Sequence, residues 1–97
     1  MKKLFLLLLF AASLMAGDLG KALEAAKKGD YETAVSLWKP LAEQGEAGAQ
    51  YNLAVSYCLG NGVEKDLKEC AYWAKKAYQN GRDTSRLWND FDLKSHQ

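Results

Sequence analysis

Two cysteines, Cys58 and Cys70, are the only thiols in the 97-residue chain, near the two ends of the stretch YCLGNGVEKDLKEC. Two cysteines allow one intramolecular pairing, or they stand as separate buried thiols. A redox-active pair is disfavoured, because no Cys-x-x-Cys spacing is present to lower a thiol pKa. Ser36-Leu37-Trp38-Lys39 matches Ser-x-x-Lys, a pattern in which a serine serves as nucleophile, but its usual Ser-Asp-Asn and Lys-Thr-Gly companions are absent. Ser36 falls on the polar side of an amphipathic segment, where a solvated helix face accounts for it. The single histidine, His96, lies in a tail expected to fray. It has no partner at the spacing of a metal site or a general base. Asp90 and Asp92 project to different sides of a helix and form no carboxylate pair. Gly60-Asn61-Gly62 lacks the third glycine, the preceding strand and the Gly-Lys-Ser/Thr of a phosphate loop, so it reads as a turn. The expectation is no catalytic residue, no metal and no cofactor.

The elements that position these residues begin after an apolar leader. Met1-Lys2-Lys3 is a short positive region, and LFLLLLF over residues 4–10 continues apolar to Ala16, as in a secretory signal. The uncharged stretch Leu4–Gly17 spans 14 residues, short for a transmembrane helix. Cleavage is expected near Ala16, and an uncleaved N-terminal anchor is the alternative. No cysteine follows the apolar run, so a lipoprotein anchor is not expected. Residues 17–97 are then one domain of 81 residues, with a core near the lower limit for independent folding. This part carries 11 of the 13 Lys/Arg and all 12 Asp/Glu, without a basic block, so no nucleic-acid partner is expected. An exported setting permits a disulfide.

The domain reads as helix after helix. In DYETAVSLWKPLAEQG the apolar positions are Tyr31, Ala34, Val35, Trp38, Leu41 and Ala42; in DLKECAYWAKKAYQNG they are Leu67, Cys70, Ala71, Ala74, Ala77 and Tyr78. Both sets follow one face of a helix. Each member of the second lies 36 residues after its counterpart, and Asp30/Asp66 and Gly45/Gly81 bracket both segments. A fixed period of this size implies stacked helical hairpins. Asp30 and Asp66 suit N-caps, with Glu69 approximating a capping box. Residues 18–28 offer Leu19, Ala22, Leu23 and Ala26. Residues 46–59 are apolar almost all round, as befits a helix buried on several sides. RDTSRLWNDFDL, with Leu87, Trp88 and Phe91 on one face, reads as a C-terminal capping helix, and Lys75-Lys76 as solvated surface. Pro40 is expected to bend its helix.

Residues Ala42–Gly81 resemble the Sel-one-like repeat family, relatives of tetratricopeptide repeats. The resemblance rests on Ala49-Gln50-Tyr51-Asn52-Leu53, Tyr57, Gly60-Asn61-Gly62-Val63, Asp66 and Trp73. Residues 29–45, with Trp38-Lys39-Pro40-Leu41-Ala42-Glu43-Gln44-Gly45, match the second helix of a preceding repeat, so the resemblance covers about 50 residues strongly and most of residues 17–97 loosely. Ala54 stands where the family has glycine, and Cys70 where it has alanine. The resemblance implies an all-α fold, an α/α solenoid of stacked antiparallel helix hairpins, tetratricopeptide-like, with the terminal capping helix. In such a hairpin Cys58 ends one helix and Cys70 enters its partner, within reach of a structural disulfide. By the same analogy the first helix of a pair lines the concave side, making Tyr51, Asn52 and Val55 candidates for partner contacts. Tyr51 equally serves to fill space between hairpins.

The resemblance leads to an exported, non-catalytic protein–protein interaction module in the periplasm or outside the cell, with a protein or peptide partner and an uncovered end open to self-association. The alternative is an exported enzyme with weak beta-lactam binding or hydrolysis. It rests on the label some cysteine-rich relatives carry and on Ser36 and Lys39. A secreted factor acting on host cells is not separable from the first reading.

Overall fold

A computed structural model describes residues 18–97; the secretory segment expected over residues 1–16 lies outside them. The chain is all-α, with no strand among the described residues. Residues 18–27 form α1. It is followed by α2 (Tyr31–Glu43), α3 (Ala47–Leu59), α4 (Leu67–Gln79), α5 (Ser85–Asp90) and a 3-10 turn over Leu93–His96.

Helix starts follow from local chemistry. The Asp30 carboxylate accepts from the Thr33 amide at 3.3 Å, and that of Asp66 from the Lys68 and Glu69 amides at 3.0 and 3.1 Å. Both satisfy amides that have no partner inside the helix. Glu46 caps α3 in the same way, accepting from Gly48 at 3.0 Å and Ala49 at 2.7 Å. Glutamate is not a preferred cap residue, but its charge suits the positive end of a helix. The capping box expected from Glu69 does not form. The Asp66 amide already donates to the Tyr57 carbonyl at 2.9 Å, leaving no orphan donor for Glu69 to take.

The turn between α3 and α4 is shaped by two glycines. Gly60 ends α3 in the left-handed conformation, φ 76°. Gly62 shares that φ and rests on the start of α2. A Cβ there would lie 2.9 Å from the Glu32 amide nitrogen and closer still to the Tyr31 carbonyl. Only a residue without a side chain fits both the φ and the approach. Pro40 lies inside α2 on its exposed side, and the helix runs on to Glu43.

The centre of the fold is α3, which packs against α2 and against α4. Its Ala49 and Leu53 join Ala22, Ala34, Val35, Trp38, Leu41 and Ala42 in one core cluster. Its Ala54 and Cys58 join Cys70, Ala71, Ala74, Leu87 and Leu93 in a second. Tyr57 and Trp73 touch both clusters. The all-round apolar pattern of α3 is therefore used on two sides.

The C-terminal segment is not one capping helix. Helix α5 stops at Asp90, Asp92 takes a left-handed φ of 50°, and the chain re-enters as a 3-10 turn. The Ser95 hydroxyl donates to the Asp92 carboxylate at 2.8 Å and to its carbonyl at 2.9 Å, holding the corner. Aspartate tolerates this conformation better than most residues. The corner turns Leu93 into the second cluster, where it is fully buried. A continuous helix would set position 93 about 120° away from Leu87. His96, expected to fray, ends the 3-10 turn and is half-buried.

Candidate functional site

Cys58, in the last turn of α3, and Cys70, near the start of α4, have Cα atoms 5.2 Å apart and sulfurs at disulfide distance. Both are fully buried, and no free cysteine remains. Ala54, Ala71 and Ala74 around them leave space for close helix approach. A buried bond of this kind ties structure rather than offering a reactive sulfur. The pair fits an oxidising compartment.

The three residues expected on a concave binding face have separate environments. Tyr51 and Val55 are half-buried and pack onto the second cluster, and the Arg82 guanidinium lies 4.5 Å from the Tyr51 ring centroid. That is cation–π geometry. Asn52 is half-buried, and its side-chain amide makes no hydrogen bond among the described residues.

Gln50, part of the same sequence motif, has a different place. It is 2 % exposed. Its Nε2 donates to the Ala42 carbonyl at 2.9 Å, and its Oε1 accepts from Asn80 Nδ2 at 2.9 Å. One buried amide thus joins the end of α2 to the end of α4 across α3.

Beside the turn, Tyr57, Val63, Lys65 and the carboxylates of Glu64, Asp66 and Glu69 line a shallow notch. Burial pushes the Tyr57 hydroxyl above its ordinary range, and the charges of Glu69 and Asp66 push it further. Among the described residues no cluster of His, Cys, Asp or Glu could hold a metal ion, and no helix is long and apolar enough to cross a membrane. Ser36 is exposed, and its hydroxyl donates to the Thr33 carbonyl of its own helix at 2.7 Å.

A groove of about 430 Å³ opens between α4, α5 and the 3-10 turn. Lys75 and Tyr78 come from α4, Ser85, Trp88 and Asn89 from α5, and Lys94 from the turn. The Trp88 indole N–H donates to the buried Thr84 hydroxyl at 3.1 Å, which fixes the ring in the wall. Tyr78 was expected inward on its helix face, yet it is 67 % exposed. The signal was present in the 36-residue correspondence: the counterpart of Tyr78 is Ala42, small and 1 % exposed. A large aromatic stands where the first copy has a methyl group.

A family model described as "Domain of unknown function (DUF6340)" matches residues 20–95. No curated protein and no solved structure matches the chain.

Proposed function

The chain belongs to the DUF6340 family, a domain of unknown function, and on that premise we propose that it is an exported, non-catalytic protein-interaction module built from Sel-one-like repeats. It works in the periplasm or outside the cell, as antiparallel helix hairpins stacked through α3. The observation that carries this reading is the two-sided burial of α3 between helices whose apolar positions repeat every 36 residues. A helix spent on packing both neighbours leaves edges and ends for partners, which is how stacked repeats act. The cystine and the leader pattern support the compartment. The unpartnered amide of Asn52 supports a contact with a partner's backbone.

Two measurements test it. Intact mass of the protein recovered from the cell envelope is expected to lack about residues 1–16, with both cysteines refractory to alkylation until reduced. A photo-crosslinking residue at position 52 is expected to give a discrete protein adduct in the envelope fraction. A full-length chain with two free thiols would remove the compartment. A chain that stays monomeric and unadducted from every exposed position tried would remove the interaction role.

A further inference from the structure

We infer that the groove between α4, α5 and the 3-10 turn is a docking site for an acidic peptide segment of a partner protein that carries an apolar anchor residue. This rests on the interaction-module reading and names a surface and a partner chemistry within it.

The apolar half of the inference comes from comparing the two copies of the helix pattern. In the first, the face ending at Ala42 is covered by α3, a helix of 13 residues. In the second, the corresponding face is followed by a six-residue helix and a four-residue 3-10 turn. Ala71 and Ala74 are buried between α3 and these short elements, but Tyr78 is left 67 % exposed, and the half-buried Trp88 ring lines the same groove. A leucine- or phenylalanine-sized side chain set between the two rings buries apolar area on both faces. The volume falls in the range of ligand pockets, roughly 300–1,000 Å³.

Charge sets the other half. Lys75 and Lys94 line the groove from opposite elements, and no carboxylate side chain lines it. Asp83, next to the lining residues Thr84 and Ser85, is held ionised by the amide and hydroxyl of Ser85, and the two lysines outnumber this one counter-charge. Two ammonium groups beside an aromatic slot select glutamate or aspartate flanking the anchor and repel a basic segment. The side-chain amide of Asn89 is placed to bond the peptide backbone.

The test is a nitrogen-15 NMR titration of the oxidised protein with three blocked decapeptides. One has a central Leu-Phe pair flanked by glutamates, one has lysines for the glutamates, and one has Gly-Ser for the pair. The acidic Leu-Phe peptide is expected to shift the Trp88 indole and Asn89 amide signals saturably, with Kd below about 1 mM. The other two peptides are expected to leave both signals unmoved. Lys75→Glu with Lys94→Glu, and separately Tyr78→Ala, are expected to weaken binding by about tenfold or more. Asn52→Ala is expected to leave it unchanged. All three groove positions are exposed, so the variants keep the fold. Equal binding of the basic peptide, shifts confined to residues 51–55, or no shift at the groove would overturn the inference. So would groove shifts that follow protein concentration without peptide, which identify a second copy as the occupant. Adducts at position 52 that persist while the groove fails to bind would sink the groove and spare the interaction role; loss of both would sink the two together.

Discussion

The contact of α2 with α3 and the contact of α3 with α4 join helices of equal length, 13 residues each, by different chemistry. The first is filled by large side chains: Trp38, Leu41 and Leu53, all 5 % exposed or less. It has no covalent tie, and it buries the Trp38 indole N–H without an acceptor among the described residues. The second is made of Ala54, Ala71 and Ala74 around the cystine. Small residues bring backbones close but remove little apolar area from water. Side-chain volume supplies the first contact, and restriction of the unfolded chain supplies much of the second. Gln50 and the Gly62 turn couple the two, since each reaches from one contact to the other.

The comparison can be broken in order of expected effect. Leu53→Ala should cost about 3–4 kcal/mol through the cavity it leaves. Thermal unfolding followed by circular dichroism would read this as a fall in Tm of well over about 10 °C; a fall of a few degrees would mean the first contact does not depend on bulk. Next comes the cystine. Reduction, or Cys58→Ala with Cys70→Ala, should cost about 3 kcal/mol in urea titrations. Hydrogen exchange on the reduced protein should lose protection in α4 and α5 before α2. Simultaneous loss everywhere would show that the two contacts form one cooperative unit.

Gln50→Ala should cost about 1–2 kcal/mol. It strips bonds from both sides, whereas Asn80→Ala, which removes one bond at the surface, should cost less. Equal costs would place the coupling at Asn80 alone. The smallest effect is a pH dependence at Tyr57, whose folded pKa is raised by burial and by Glu69 and Asp66. The folded state holds this proton more tightly, so stability is intact below the unfolded tyrosine pKa of about 10 and falls as pH rises through the folded value. Urea midpoints between pH 9 and 11 should decline in the parent and less steeply in Tyr57→Phe.

Much of this molecule is legible in its residues. The helix segments, the caps at Asp30 and Asp66, the turn at Gly60 and the two-sided α3 follow from periodicity and local hydrogen bonding, which act over a few residues. The proximity of Cys58 and Cys70 follows once a tight turn joins their helices. The Glu46 cap was hidden because glutamate is ordinarily a helix interior residue, and only the backbone entry angle turns its carboxylate onto the amides of Gly48 and Ala49.

Other features depend on where distant elements come to rest. Gln50 belongs to a recognisable motif, but its role exists only once Ala42 and Asn80 are brought to either side of it. Tyr51 and Val55 pack onto the second cluster, and the Arg82 guanidinium from beyond α4 lies over the Tyr51 ring. Tyr78 reads as core by its register, yet neither α3 nor the C-terminal elements cover it. Its exposure, and the groove beside it, are properties of that mismatch. Local sequence determined the helices, caps and turns, because those are settled by neighbours along the chain. The groove was decided by tertiary structure alone, because whether a surface stays open depends on the length and placement of whatever packs beside it.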